Sequence, residues 1–286
     1  MARKDTMNSG YDLIHLEIED GVATATIDHP PINLITLPLF RELAVLGQEI
    51  GKDPSTRVLV MKSAHPDFFL AHFDVEAILD FETSGPAKKS DFNAYHAMCE
   101  QYRTMDVVSI AQVEGRVGGG GSELISAFDM RFGVLGQTIM NQMEVPLGIL
   151  PGGGGTQRLP RLVGRSRALE IILGGIDLDA STAERWGYLN RALAADQIET
   201  FVSTLARRIA SFPPEAVRLA KQAVNEAERP LADGLIEEDF LFQQLLRTDG
   251  AQDSMRRFLS LGGQTPEAER RVAELSKEVA SSNSDS

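Results

Sequence analysis

The stretch AQVEGRVGGGGSELISAFD, residues 111–129, joins a strand, a glycine-rich turn and a helix start within one short segment. The overlapping run SIAQV, residues 109–113, is short, apolar and β-leaning, the pattern of a strand buried on both faces. Four glycines follow at 118 to 121, where backbone conformations closed to other residues are open and a ligand atom can come close to main-chain N–H groups. Ser122 and Glu123 then open a segment with Leu124, Ile125, Ala127 and Phe128 at helical spacing. A helix N-terminus beside bare backbone favours negative charge, and the carboxylate of Glu123 stands at its edge. No lysine follows the glycines, as a phosphate-binding loop requires, and no GxGxxG dinucleotide fingerprint fits. Two readings stay open for this segment: a turn needed only for tight strand–helix packing, and a binding site.

A second run of the same kind, EVPLGILPGGGGTQRLPRLVG, occupies residues 144–164. Glu144 precedes a tight glycine segment at 152–155, and Thr156 is placed to cap a following helix. With both runs in view, the chain resembles the enoyl-CoA hydratase/isomerase family, the crotonase superfamily. The pattern AxxxGxxxGGGxEL stands here as Ala111, Gly115, Gly119, Gly120, Gly121, Glu123 and Leu124, with Asp129 beyond. The second block stands as Glu144, Gly148, Pro151, Gly152, Gly154, Gly155, Thr156, Gln157, Arg158 and Leu159. The resemblance covers about residues 10–260.

The resemblance implies an α/β fold, a crotonase-like ββα spiral core with a C-terminal α-helical oligomerisation region. It implies a core over residues 10–200, helices over 201–264 that build a trimer or hexamer, and a charged helical extension with a disordered tail over 265–286. It also implies an acyl-CoA thioester as substrate, with coenzyme A part of that substrate and no separate cofactor. In hydratase members two glutamates hold a water across the C2=C3 bond. By resemblance Glu144 exchanges the proton at C2 and Glu123 positions and activates the water. The FxAGAD loop of the family resembles Phe69, Ala71, His72, Phe73 and Asp74. The N–H groups of Phe73 and Gly120 then form the oxyanion hole, with Ala71, His72, Asp74 and Gly119 as substrate-binding positions. Each such donor is worth roughly 10²–10³ in rate.

Bulk properties agree with this. The 286 residues are 43% hydrophobic and 24% charged, the composition of a globular protein with a sizeable core. The net charge of −13, from 28 basic and 41 acidic side chains, argues against a nucleic-acid surface and leaves a small anionic ligand open. The sequence has no uncharged apolar run of about 18 residues and no apolar core in MARKDTMNSG, so a cytoplasmic protein without a membrane span is expected. The single cysteine, Cys99, sits in a helix-like segment and reads as buried filler. Histidines 15, 29, 65, 72 and 96 are scattered, so no metal site is expected. No GxSxG elbow is present, which disfavours an α/β serine hydrolase.

Elsewhere, residues 13–18 and 22–27 alternate around Asp20-Gly21, a hairpin signal. Apolar residues from 37 to 50 fall at helix spacing, with Pro38 in the first turn, and a strand follows at 58–61. The order repeats with the strands at 109–113 and 130–134, so parallel strands joined through helices are expected. A loop composition covers 83–90, and Lys88-Lys89 there are either solvated or near the ligand's phosphates. Helices are expected over 196–212, 214–227, 233–247 and 250–260, the last two with apolar stripes suited to a subunit interface. Trp186 reads as core.

The chain also departs from the family pattern. His72 and Phe73 replace small residues, no basic residue precedes Asn33-Leu34-Ile35, and Leu259-Ser260-Leu261-Gly262-Gly263 stands where the family brings a lysine toward the ligand. These departures imply an altered coenzyme A site. Alternatives within the resemblance are an enoyl-CoA isomerase, a hydrolase or a decarboxylase, and outside catalysis a non-catalytic acyl-CoA-binding scaffold. The acyl pocket is expected to be walled by Phe69, Phe73, Ile78 and the 83–90 loop.

Overall fold

The structure, a computed structural model, describes residues 10–81, 91–228, 248–262 and 278–279. The expected helix at 233–247, the 83–90 loop with Lys88-Lys89, and nearly all of the extension after 265 lie outside the described residues. The chain divides into two compact units, the first ending at Thr204 and the second beginning at Leu205.

In the first unit, β1 (Ile14–Glu19) and β2 (Val22–Ile27) make the hairpin, with Asp20 and Gly21 both at positive φ (50° and 76°). That is the backbone a two-residue turn needs to match strand twist. Alternate β2 residues, Ala23, Ala25 and Ile27, are fully buried, so a one-residue slip would turn the core face to solvent. Helix α1 (Leu37–Lys52) follows, capped by Thr36 and burying Leu39, Leu43, Leu46 and Ile50 at helical spacing.

The strands then come in pairs, one for each of two sheets. From β3 (Val58–Ser63) and β4 (Phe68–Leu70) the chain runs through α2 (Val75–Leu79) and α3 (Ala94–Thr104) to β5 (Val108–Val113) and β6 (Arg116–Gly118). Helix α4 (Gly119–Ser126) leads to β7 (Met130–Val134) and β8 (Ile139–Asn141), and α5 (Gly155–Val163) and α6 (Arg165–Gly174) lead to β9 (Leu178–Asp179). After α7 (Ala180–Trp186), β10 (Arg191–Leu193) closes the order. The larger sheet is ordered β1-β2-β3-β5-β7-β10, and all its pairs after the hairpin are parallel. The smaller is ordered β4-β6-β8-β9. The pairs β3/β4, β5/β6 and β7/β8 thus each add one strand to each sheet before a helix returns the chain, which is the expected ββα spiral.

Three local expectations change. The glycines at 118–121 are not a turn: Gly118 ends β6 and precedes α4, and the other three are the first turn of α4. Likewise α5 begins at Gly155 with Gly154 at its cap position, so Thr156 is inside the helix and caps nothing. Trp186 is partly buried against the core, with Arg167 over its ring at 5.6 Å, rather than enclosed in it. Cys99 is fully buried, and burial pushes its thiol up to about 12. Helices α8 (Ile198–Ala210), α9 (Pro214–Asn225) and α10 (Asp249–Ser260) complete the described chain. No helix among the described residues is long and apolar enough to cross a membrane.

Candidate active site

The close approach of α4 to β4 is what the glycines make possible. A Cβ on Gly121 would stand 2.7 Å from both Leu70 Cβ and the Leu70 carbonyl oxygen. One on Gly118 would fall 2.4 Å from Asn141 Oδ1 and 2.8 Å from the Ala71 carbonyl. Backbone therefore packs on backbone, and the start of α4 is held against the segment that follows β4. All eight residues of α4 are buried, among them Glu123.

The segment after β4 is aligned by α1's entry. The Ile35 N–H bonds the His72 carbonyl at 2.9 Å and the Asp74 N–H bonds the Ile35 carbonyl at 3.0 Å. In extended chain alternate N–H groups point to opposite sides, so with 72 and 74 engaged by Ile35 the Phe73 N–H faces the other way. On that side lies α4: a Cβ on Gly120 would stand 3.4 Å from Phe73 N and 3.1 Å from Phe73 Cβ. The first N–H groups of a helix have no intrahelical partner, and α4 has no side-chain cap to supply one. The N–H groups of Phe73 and of the first α4 turn thus converge on one place, at a positive helix end.

A cavity of about 600 Å³ opens there, lined by His72 and Phe73, by Gly119, Gly120 and Glu123 of α4, and by Glu144. Apolar and aromatic side chains make most of its remaining wall, including Phe40, Ile78, Phe81 and Tyr95. Of the sequence-expected positions, Ala71 and Asp74 do not line it. Ala71 is buried, and Asp74 caps α2 by accepting the Glu76 N–H. Phe69 is a correction as well: it is fully buried in the core rather than in the pocket wall. The Phe73 ring meets Phe40, Phe81 and Tyr95 at centroid distances of 6.3, 6.1 and 5.8 Å. His72 Nδ1 donates to the Phe73 carbonyl at 2.8 Å.

The two acids are only 4% and 8% exposed, which makes their partners decisive. Glu123 Oε1 accepts the N–H groups of Gly153 and Gly155, each at 2.8 Å. Burial raises its carboxyl above the ordinary range, while these two bonds and the Arg158 charge pull it back. At Glu144 burial, and then the negative charge of Glu123, push the carboxyl up to about 7, while the backbone N–H groups of Met143 and of Glu144 itself pull the other way but are outweighed. The fully buried Gln142, oriented with its amide nitrogen toward Glu144, donates to both carboxylate oxygens at 3.1 and 3.2 Å. A Cβ on Gly119 would lie 3.2 Å from Glu144 Oε1, so the second acid sits against the helix start. Environment thus separates the two acids, one held by backbone N–H groups and one poised to carry a proton at neutral pH.

Several supporting residues escaped sequence reading. Buried Asn33 donates to the carbonyls of Phe68 and Phe69 and so fixes β4. Arg158 bonds the Gly153 carbonyl at 3.3 Å and Glu100 at 2.6 Å, tying the 152–155 turn to α3. Tyr95 and Gln142 are single polar residues in otherwise unremarkable segments, and only the distance between Gln142 and Glu144, two apart in sequence, offered a signal. Among the described residues no three His, Cys, Asp or Glu converge as a metal site.

Comparison with known proteins adds the relationship. A family model described as enoyl-CoA hydratase/isomerase matches residues 17–263. A Rhizobium meliloti protein named "Probable enoyl-CoA hydratase" is 33% identical over 256 residues, covering 87% of this chain and 96% of its own length. A solved structure of an enoyl-CoA hydratase from Bacillus anthracis is similar with a TM-score of 0.79 at 27% identity, over 87% of this chain and 96% of that one.

Proposed function

The chain belongs to the enoyl-CoA hydratase/isomerase family, and from that premise we propose that Glu123 and Glu144 add water across the C2=C3 bond of a 2-enoyl-CoA to give the 3-hydroxyacyl-CoA. The protein is an acyl-CoA-processing enzyme of the hydratase type. The observation that carries the residue assignment is the unlike environment of two buried acids in one cavity beside unpartnered main-chain donors.

The steps follow from those environments. The thioester oxygen takes the Phe73 and Gly120 N–H groups, which stabilise the enolate-like charge as it develops. Glu123, anchored through Oε1, acts through its other oxygen as base on the water, whose oxygen bonds to C3. Glu144, protonated near neutrality, gives its proton to C2. The proton taken up by Glu123 returns to Glu144 before the next turnover, so that one water is consumed and nothing else changes. No resident cofactor is needed for this chemistry, since the thioester itself is the electron sink.

Around this centre we place a core over 10–200, an oligomerisation region over 201–264 that builds a homotrimer or hexamer, and an extension over 265–286, in a cytoplasmic enzyme. The test is incubation with crotonyl-CoA and longer 2-enoyl-CoA thioesters, followed at the absorbance of the conjugated thioester. Loss of that absorbance with formation of the 3-hydroxy product supports hydration. Migration of the double bond instead indicates an isomerase, release of free coenzyme A a hydrolase, release of carbon dioxide from a carboxylated acyl-CoA a decarboxylase, and binding without turnover a scaffold.

A further inference from the structure

Tyr95 touches both proposed oxyanion donors. It lies in the first turn of α3, whose start is fixed by Asn93 accepting the His96 N–H at 2.7 Å. Its hydroxyl donates to the Gly120 carbonyl at 2.6 Å. Its ring meets the Phe73 ring edge to face at 5.8 Å and stacks on Phe40 at 5.8 Å with an interplanar angle of 13°. Its other edge closes on the glycine turn that holds Glu123, where a Cβ on Gly153 would stand 2.7 Å from Tyr95 Cδ1.

The start of α4 needs such a brace. Three successive glycines form its first turn, the residue type least inclined to hold helical backbone apart from proline, and no side chain caps it. An N–H that must meet a developing charge has to be in place beforehand, because moving it during the reaction forfeits much of its effect. The Tyr95 hydroxyl ties this otherwise loose turn to α3, and its ring sets the neighbouring Phe73 from the same helix. Burial lifts the phenol well above its ordinary range, so the hydroxyl keeps its proton and stays a donor to Gly120 at all working pH values.

We propose that Tyr95 is a positioning residue that holds Gly120 and Phe73 at the spacing needed to polarise a thioester carbonyl. This rests on the oxyanion reading given above. Tyr95→Phe keeps the ring and removes only the bond to Gly120. We expect kcat to fall about 5- to 50-fold, less than for loss of a whole donor, with KM within about threefold of wild type. Both are measured beside the melting temperature, because a merely structural loss would lower stability without this division between kcat and KM.

A second readout needs no turnover. A 2,4-dienoyl-CoA, whose chromophore is conjugated with the thioester carbonyl, absorbs to the red when that oxygen is polarised. It is bound to Glu144→Gln, in which the chemistry is slowed enough to record the bound spectrum, and to Glu144→Gln combined with Tyr95→Phe. Loss of about half the red shift or more in the double variant is the expected result, since a displaced donor polarises less. Tyr95→Leu, which also frees Phe73, is expected to lose more of it. A clear shift in Glu144→Gln that Tyr95→Phe leaves intact, with kcat unchanged, overturns the role of Tyr95 while the oxyanion hole stands. Absence of any shift in Glu144→Gln with the probe bound overturns the oxyanion reading and this proposal together. Equal shifts in the phenylalanine and leucine variants overturn the part assigned to the ring.

Discussion

Glu123 and Gly153 are bound side chain to backbone, the carboxylate accepting the glycine N–H at 2.8 Å, and this bond joins α4 to the turn before α5 across 30 residues of sequence. A glutamine at 123 can keep its carbonyl oxygen toward the same donors but cannot act as a base. Glu123→Gln and Glu144→Gln are therefore each expected to lower turnover by about 10²–10⁴ while acyl-CoA binding persists. Steady-state kinetics beside a direct binding titration measures both. Turnover equal to wild type in either variant removes that residue from the mechanism.

The raised carboxyl of Glu144 gives a pH dependence of definite sign. Because its folded value is about 7 against an ordinary 4.5, the folded protein binds more protons than the unfolded chain between those values. Stability contributed by the protonated acid is present below about 4.5 and is lost as pH rises toward about 7, then changes no further. Removing the charge with Glu144→Gln should leave the protein more stable than wild type at pH 8, by about 1–3 kcal/mol, and nearly matched at pH 4.5. Urea midpoints at the two pH values, at one protein concentration, decide this. A difference that does not depend on pH means that Glu144 ionises as an ordinary surface acid. If the proposed role of Glu144 holds, hydration should decline as pH rises above about 7.

Gly153 offers a test of the same geometry from the other side. A methyl group there meets Glu123 Oε2 at 2.5 Å and the Tyr95 ring at 2.7 and 2.8 Å, closer than real side chains tolerate. The carboxylate and the ring are side chains at the cavity wall and can yield, so Gly153→Ala should fold. Displacing the base by a fraction of an ångström to an ångström is then expected to cost about 10²-fold in kcat. Near-wild-type kcat in the alanine variant would show that the turn does not fix Glu123.

What was legible in the sequence was whatever depends on local pattern. The Asp20-Gly21 hairpin, the α1 stripe and the fully buried β5 follow from alternation, spacing and an apolar run. The two acids were legible because each stands near a glycine run, in blocks that resemble the family's. The glycines themselves were misplaced by a turn of helix, because their reason is tertiary: Gly118 and Gly121 are small so that β4 and Ala71 can lie against them, and no local signal records a neighbour about 50 residues away. Phe69 and Phe73 show the same limit. They stand four positions apart and share parity, yet β4 shifts register between Phe68 and Leu70, and one ring enters the core while the other lines the cavity. Partners joined across the chain, such as Arg158 with Glu100 or Tyr95 with Gly120, leave no pattern at all.

Phe73 stands where the family pattern has a small residue, and the structure gives that departure a meaning. Its N–H faces α4 whatever the side chain, while its ring stands in the cavity wall among Phe40, Phe81 and Tyr95. Main-chain chemistry and side-chain selectivity are therefore separable at one position. Phe73→Ala keeps the donor and removes a phenyl group from the cavity wall, so bulky and branched 2-enoyl-CoA substrates should gain relative to crotonyl-CoA. The change in the ratio of kcat/KM values is expected to be about 10- to 200-fold, the scale of discrimination by apolar pocket walls. Phe73→Pro deletes the N–H and should lower kcat for every substrate, by about 10²–10³, with the melting temperature reporting separately on strain from the fixed proline φ. Measuring kcat/KM for short, long and branched thioesters with wild type and both variants divides the two effects. If the alanine variant lowers all substrates by one factor, the ring serves only as packing for Tyr95 and Phe40 and sets no preference among acyl groups.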